Sequence, residues 1–214
     1  MEVFYLTYLI TLVQLLAAIW ATISFKKYRH SAERYFLHFL WFTVGIEITA
    51  GVLSDVFSID TYWLYNFYMV VSFLFFFYWY YTILRTKTQK KAILVFVLIF
   101  IGMVIWDFMY RDELGYQEFT FVSGAFLIMI CTMFHFRQLL YSDEVLVLKH
   151  KLSFWISTGL LLFNMGMIPL MLLTDYFDFG ANKYYLTTII GLNFILNGCY
   201  IIGFQWTKEK YNRF

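Results

Sequence analysis

Seven long apolar stretches, separated by short polar connections, dominate the pattern of this chain. They cover residues 3–25, 35–54, 61–84, 92–110, 119–136, 152–174 and 184–206. Each is about as long as the ~20 residues that a helix needs to cross the ~30 Å hydrocarbon layer of a bilayer. The pattern therefore predicts an all-α, polytopic membrane protein in which seven transmembrane helices form one domain over residues 1–214.

The positive charges are distributed unevenly among the connections. Fourteen of the 16 lysine and arginine residues lie in alternate connections or in the C-terminal tail, and only Arg111 and Lys183 lie on the other side. Short loops rich in lysine and arginine stay in the cytoplasm. The asymmetry predicts an N-terminus outside the membrane, a cytoplasmic C-terminus and a multi-pass location in a cell inner (plasma) membrane.

Composition supports the membrane assignment. The chain is 62% hydrophobic and 14% charged, with one proline, which is far from the average of soluble domains. The net charge of +2 comes from the basic inner loops, which favour contact with anionic membrane lipids, and it indicates no nucleic-acid partner. Cys131 and Cys199 both lie in predicted helices, so we expect them to be reduced and buried.

One carboxylate stands out because of its depth. Glu47 lies near the middle of the second predicted helix, where an ionised side chain is disfavoured by roughly 2.5–3.5 kcal/mol. We expect it to face polar side chains of the bundle. The candidates for this polar core or ligand site are Gln14, Thr43, Asn66, Asn164, Asn193, Asn197 and Tyr200. Two interpretations stay open: a ligand, proton or cation site, and a structural clasp between helices.

Aromatic residues cluster at both ends of the third predicted helix. Tyr62, Trp63 and Tyr65 lie at one end, and Tyr78 to Tyr81 lie at the other. Such clusters are typical of the aromatic belts at a membrane–water interface, and we favour this interpretation over an aromatic cage for a ligand.

The positions of the histidines and lysines do not favour a metal or cofactor site. The four histidines all lie on the predicted cytoplasmic side, and a metal site would require His38 and His135 to converge with an acidic residue. The seventh helix has no histidine, unlike seven-helix zinc hydrolases that resemble ceramidases, so we predict no metal. Retinal is excluded because residues 184–206 contain no lysine for its Schiff base. We predict no cofactor.

Three stretches carry a resemblance. They are Asn66-Phe67-Tyr68 with the aromatic run to Tyr81, Phe154-Trp155-Ile156 followed by Gly159, and the segment from Asn193 to Phe204. In these stretches the chain resembles a group of uncharacterised seven-helix membrane proteins common in Bacteroidota-type bacteria. Glu47 is similar to that group's acidic residue in helix 2, whereas Ser72 stands where the group is expected to have a glutamate. The resemblance implies a bacterial inner membrane and no particular activity.

Three classes of function remain open. The one we favour is a sensor or signalling protein that binds a small ligand or lipid in its bundle and acts through a cytoplasmic or membrane partner. The alternative is a small-molecule transporter with a 3+1+3 helix arrangement, in which Pro169 and nearby glycines would supply bending points. The third is a lipid-modifying membrane enzyme. No nucleophile motif or pair of carboxylates supports it, so a protein without enzymatic activity is the favoured prediction.

Overall fold

The computed structural model describes residues 2–110, 115–141, 143–173 and 183–212. Within them the chain forms seven long α-helices and no strand. The helices are α1 (Glu2–Ser24), α2 (Arg34–Asp55), α3 (Tyr62–Ile83), α4 (Lys87–Tyr110), α5 (Glu118–Leu140), α6 (Leu152–Leu172) and α7 (Lys183–Trp206). The prediction of an all-α chain is confirmed for this part. Arg111, Arg213 and the predicted connection from residue 175 to 182 lie outside the described residues.

The helix bounds follow the apolar stretches closely, with two extensions. α4 begins at Lys87, five residues before its apolar stretch, and α5 continues to Leu140, four residues beyond its own. Lysine, arginine and glutamine are good helix formers, and their long side chains can reach water from a helix end. The helices therefore continue past the end of the apolar run.

Six of the seven helices are long and apolar enough to cross a membrane, and α3 is the exception. α3 has 22 residues, but six of them are tyrosine and two are tryptophan. The hydroxyl and N–H groups of these residues lower the mean hydropathy of a helix, although the rings themselves are largely apolar. The described chain is thus built as a multi-pass membrane protein.

Six helices form a closed ring and the seventh lies outside it. Neighbouring helices pack in the order α1, α2, α3, α5, α6 and α7, and α7 returns to α1. α4 packs mainly on α3 and α5 and buries only Ile93 and Phe100. It therefore lies at the periphery, between the α1–α3 and α5–α7 triplets in sequence.

Aromatic rings fill the interior of the ring. The rings of Phe39 and Phe75 stack with their centroids 4.4 Å apart, and Phe36 meets Tyr200 edge to face at 4.8 Å. Phe76 joins them at 5.0 Å from Phe39. These five residues are here called the aromatic layer; four of them belong to a larger core of buried side chains, and the partly buried Phe75 packs against it.

The two ends of the bundle differ in charge. At one, the basic end, lie the connections 25–33, 84–86 and 141–151 and the segment after α7, with most of the lysines and arginines. At the other, the acidic end, lie the connections 56–61 and 115–117, with Asp55, Asp60 and Glu118. Lys27 Nζ donates to Phe204 O at 3.2 Å at the basic end.

Close approach of α6 and α7 depends on glycine. A Cβ at Gly203 would lie 2.7 Å from the Cβ of Trp155, and one at Gly159 would lie 3.1 Å from the Cβ of Cys199. Small residues allow such approach between membrane helices. Both cysteines are free; Cys131 is buried, as predicted, whereas Cys199 is only half-buried at this contact.

Gly203→Ala is expected to destabilise the protein by about 1–3 kcal/mol, the usual range for overpacking. The added methyl group would overlap the Cβ of Trp155. Because a Cβ is bonded directly to the backbone, relieving the overlap would require one of the two helices to shift. Gly198→Ala on the same helix is the matched control, since a Cβ there meets nothing within 4 Å. The control should be neutral or slightly stabilising. Thermal unfolding in detergent compares the two, and equal melting temperatures would contradict the tight contact.

Candidate functional site

Side chains of two other helices hold the Glu47 carboxylate. Its Oε1 accepts a hydrogen bond from Gln14 Nε2 of α1 at 3.4 Å, and its Oε2 accepts one from Tyr65 Oη of α3 at 3.1 Å. Both donors are neutral. Glu47 therefore joins α1, α2 and α3 in the half of the bundle nearer the acidic end, and we call these three side chains the Glu47 site.

The Glu47 site keeps unused acceptor capacity. Gln14 is 7% exposed, and its Oε1 has no hydrogen-bond partner among the described residues. Glu47 itself is half-buried, and a carboxylate has room for about four hydrogen bonds, of which two are made here. The site can accept further hydrogen bonds from an N–H or O–H group.

Tyrosines surround the Glu47 site. The ring of Tyr65 lies 6.2 Å from that of Tyr116, which lies 4.8 Å from the ring of Tyr62. Tyr116 and Tyr68 are both near enough to Glu47 to interact with it electrostatically. Because Tyr62 and Tyr116 are exposed, this group of rings is accessible from the acidic end.

The structure brings one predicted partner, Gln14, into direct contact with Glu47. Thr43 lies one helical turn away, where its Oγ1 donates to Phe39 O at 3.0 Å and lies 3.2 Å from Tyr68 Oη. It borders the tyrosine group without contacting the carboxylate.

Asn66 bonds to the connection that precedes α5. Its Nδ2 donates to Gly115 O at 2.9 Å, and its Oδ1 accepts from Gln117 N at 3.1 Å. Both bonds fix the connection that leads into α5. Asn66 thereby positions Tyr116, the residue between these two, beside the Glu47 site.

The remaining predicted members lie on α6 and α7. Asn193 Nδ2 donates to Ile189 O at 3.0 Å and Asn197 Nδ2 to Asn193 O at 2.9 Å, so both amides bond within their own helix. Asn164 is buried on α6, and Tyr200 is buried in the aromatic layer. In the described part of the chain, Glu47 bonds only to Gln14 and Tyr65. A single ligand site shared by all the predicted residues stays a prediction.

Sequence reasoning missed Tyr65 as a partner of Glu47. Its position one turn into α3, among other aromatic residues, is typical of an interfacial belt. A tyrosine side chain is long enough to extend from the end of one helix to the depth of a carboxylate on the next. The signal that could have indicated Tyr65 is Glu47 itself, because a carboxylate in the middle of a membrane helix requires hydrogen-bond donors at its own depth.

A second group of buried polar side chains lies near the basic end. Glu33 is fully buried before α2, His135 is 2% exposed on α5 and Lys151 is 4% exposed before α6. Lys151 is near enough to interact electrostatically with both Glu33 and His135. The ring of Trp79 lies 6.4 Å from that of His135. We call these four residues the inner cluster.

Most polar atoms of the inner cluster lack protein partners. Both carboxylate oxygens of Glu33, both ring nitrogens of His135 and the Nε1 of Trp79 have no hydrogen-bond partner among the described residues. Buried groups of this kind are normally paired with protein or water. Burial raises the pKa of Glu33, and the nearby Ser31 hydroxyl, the backbone N–H of Glu33 and the charge of Lys151 oppose this shift only in part. The neutral carboxyl form is therefore favoured relative to an exposed glutamate.

His38 and His135 occupy different surroundings. His38 is exposed on α2, whereas His135 is buried in the inner cluster. Among the described residues, no three histidine, cysteine, aspartate or glutamate side chains are grouped so that they could hold a metal ion.

No protein-family model matches the chain, and no curated protein and no solved structure is significantly similar to it. The resemblance to seven-helix proteins of Bacteroidota-type bacteria therefore stays a prediction. The functional argument depends on the geometry of the site.

Glu33→Gln is expected to flatten the pH dependence of stability. The folded-state pKa of Glu33 lies above its ordinary value of 4.5. Its contribution to stability is therefore fully present below about pH 4.5 and is lost as the pH rises through the folded-state pKa. The variant has no charge to bury, so its melting temperature should exceed that of the wild type at neutral pH and approach it in acid.

Melting temperatures measured between pH 4 and pH 8 check this expectation, with Asp60→Asn as the control because Asp60 is exposed. The control should keep the wild-type profile. A Glu33→Gln variant less stable than the wild type at neutral pH would mean that an ionised Glu33 stabilises the protein by pairing with Lys151.

Proposed function

We propose that this protein is a membrane receptor of the sensor type, which binds a small organic cation at the Glu47 site and acts through a partner protein. One observation carries the proposal. A half-buried carboxylate lies between three helices, has only neutral donors as partners and is bordered by tyrosine rings.

The chemistry of the site favours an ammonium group. A carboxylate attracts a cation, and the faces of aromatic rings stabilise it further. Gln14 Oε1, which has no partner in the described part of the chain, would accept a hydrogen bond from an N–H of the ligand. No described lysine or arginine forms an ion pair with Glu47. A bound cation would supply the compensating charge that a carboxylate at this depth otherwise lacks.

The topology we propose has seven membrane-spanning helices, an outer N-terminus and a cytoplasmic C-terminus. The 22 residues of α3 span about 33 Å at 1.5 Å per residue, and α3 occupies a full position in the helix ring. The excess of lysine and arginine at the basic end supports its cytoplasmic location. The Glu47 site then opens toward the outside, and the resemblance supports a bacterial inner membrane.

The transporter alternative is favoured by a separate observation. α4 lies outside a ring formed by the α1–α3 and α5–α7 triplets, which is the order a 3+1+3 transporter requires. Polar side chains also lie toward both ends of the ring, at the Glu47 site and in the inner cluster. The aromatic layer separates them in this structure, so transport would require these rings to move apart. No observation favours the lipid-modifying enzyme.

Glu47→Gln is expected to abolish binding of methylammonium, used here as the simplest organic cation that carries N–H donors. Saturation at about 100 times the dissociation constant should stabilise the wild type by about 2.7 kcal/mol. The rise in melting temperature should be absent in Glu47→Gln and reduced in Tyr65→Phe, which loses one donor to the carboxylate. Sodium chloride at equal concentration controls for ionic strength, and Asp60→Asn is the control variant.

Two further outcomes distinguish the receptor from a structural clasp and from a transporter. A Glu47→Gln variant that melts well below the wild type without ligand, while the wild type fails to bind any cation, would assign Glu47 to a structural clasp. Uptake of radiolabelled methylammonium into proteoliposomes would indicate a transporter if the Glu47→Gln substitution abolished it. Binding without uptake supports the receptor.

The topology is tested by placing single cysteines at opposite ends. Phe57→Cys lies in the α2–α3 connection and Thr88→Cys lies at the start of α4, and both positions are exposed. A membrane-impermeant maleimide added to intact cells should label only Phe57→Cys, and lysis should expose Thr88→Cys. The wild type, whose two cysteines lie within helices, supplies the background. The reverse labelling pattern would contradict the proposed orientation.

A further inference from the structure

A pocket of about 420 Å³ lies at the basic end, far from the Glu47 site. Its walls come from the segment just after α1, the residues before α6 and the last turn of α7 with the segment that follows. Lys27, Lys149, His150, Trp206, Thr207 and Lys208 are among the residues that line it. The volume is within the ~300–1,000 Å³ typical of small-molecule sites.

The charge of the pocket has one sign. Three lysines line it, and none of the described residues that line it is acidic. Lys27 Nζ donates to Phe204 O at 3.2 Å and to Gln205 O at 3.4 Å, which fixes its position at the end of α7. An ammonium group has three donors, so one remains for a ligand. The side chains of Lys149 and Lys208 are exposed and can converge on the same anion.

Hydrogen bonds make the wall of the pocket a folded unit. Asn212 is buried, its Oδ1 accepts from Leu152 N at 3.1 Å, and its Nδ2 donates to Thr207 Oγ1 at 2.6 Å. Lys208 N donates to His150 O at 3.3 Å, and His150 Nδ1 lies 2.9 Å from Trp206 O. The segment after α7 is thereby tied to the start of α6, and the lysines on both sides keep their relative positions.

Tryptophans place this pocket at the level of lipid headgroups. Trp206 is half-exposed, and its ring meets that of Trp155 edge to face at 5.5 Å. The Nε1 of Trp155 donates to Lys149 O at 3.0 Å. Tryptophan rings concentrate where hydrocarbon meets water. A ligand in the pocket would therefore have its anionic group among the lysines and apolar chains beside the exposed faces of the helices.

We propose that this pocket binds the phosphate of an anionic phosphoester, and that its occupant is the phosphodiester headgroup of an anionic membrane lipid. Basic pockets on the cytoplasmic side of membrane proteins suit such headgroups. The three ammonium groups are opposite in sign to the phosphodiester, the volume exceeds that of a phosphate alone, and the tryptophans lie where the glycerol backbone would be. The inference is independent of the cation site proposed at Glu47.

Native mass spectrometry of the full chain with dioctanoyl phosphatidylglycerol tests the proposal, with dioctanoyl phosphatidylcholine as the zwitterionic comparison. The wild type should retain phosphatidylglycerol and bind phosphatidylcholine at least tenfold more weakly. The double variant Lys149→Gln/Lys208→Gln should lose at least tenfold in affinity for phosphatidylglycerol. The matched control is Lys87→Gln/Lys91→Gln, which removes the same charge at the same end from exposed lysines outside the pocket.

Competition by soluble phosphate compounds shows whether the bound phosphate comes from a lipid or from a free molecule. Inorganic phosphate and glycerol phosphate should compete weakly, since they lack the chains that lie along the helices. If either soluble compound displaced phosphatidylglycerol at a concentration equal to that of the lipid, the occupant would be a free phosphoester and not a lipid. The proposed site would be wrong if both double variants lost the same amount of phosphatidylglycerol binding. It would also be wrong if the wild type bound phosphatidylglycerol no more tightly than phosphatidylcholine. Unchanged melting temperatures without lipid show that the variants are folded.

Discussion

Close packing of α7 against both of its neighbours is the constraint on which the ring depends. α6 and α7 approach where Gly203 meets Trp155 and Gly159 meets Cys199, and at the end of α1 the buried Ser24 Oγ donates to Phe204 O of α7 at 3.2 Å. Helices in hydrocarbon gain little from the hydrophobic effect, so association depends on contact between closely approaching surfaces. Without this closure the six helices would form an open row, and the aromatic layer would lose its enclosing wall.

Closure of the ring gives its interior two polar regions. Glu33 and Glu47 are 14 residues apart along α2, which corresponds to about 21 Å at 1.5 Å per residue. Phe36 and Phe39 lie between them: Phe39 stacks on Phe75 of α3, and Phe36 meets Tyr200 of α7 edge to face. Each carboxyl group therefore depends on its own surroundings. Glu47 has neutral donors and an accessible side, whereas Glu33 is fully enclosed and interacts electrostatically with Lys151.

The basic end is more than a collection of loop charges. Lys27 bonds to the last carbonyls of α7, which carry the negative end of the helix dipole. Asn212 satisfies the first backbone N–H of α6, one of the four that a helix leaves without an internal partner. The same contacts that stabilise the helix ends position Lys149 and Lys208 around a common space. Helix capping and the proposed lipid pocket thus share one structural basis.

The sequence by itself determined the helices, their approximate bounds and the charge difference between the two ends, and it named Gln14 among several candidate partners of Glu47, because apolar length and isolated polar residues are local signals. Tertiary structure alone decided that α4 lies outside the ring, that Tyr65 bonds to Glu47 and that Asn66 bonds to the connection before α5. It also decided that Glu33 and Lys151, loop residues by pattern, are buried with His135. These outcomes depend on which helices become neighbours and how each is rotated, and both follow from packing across the whole bundle.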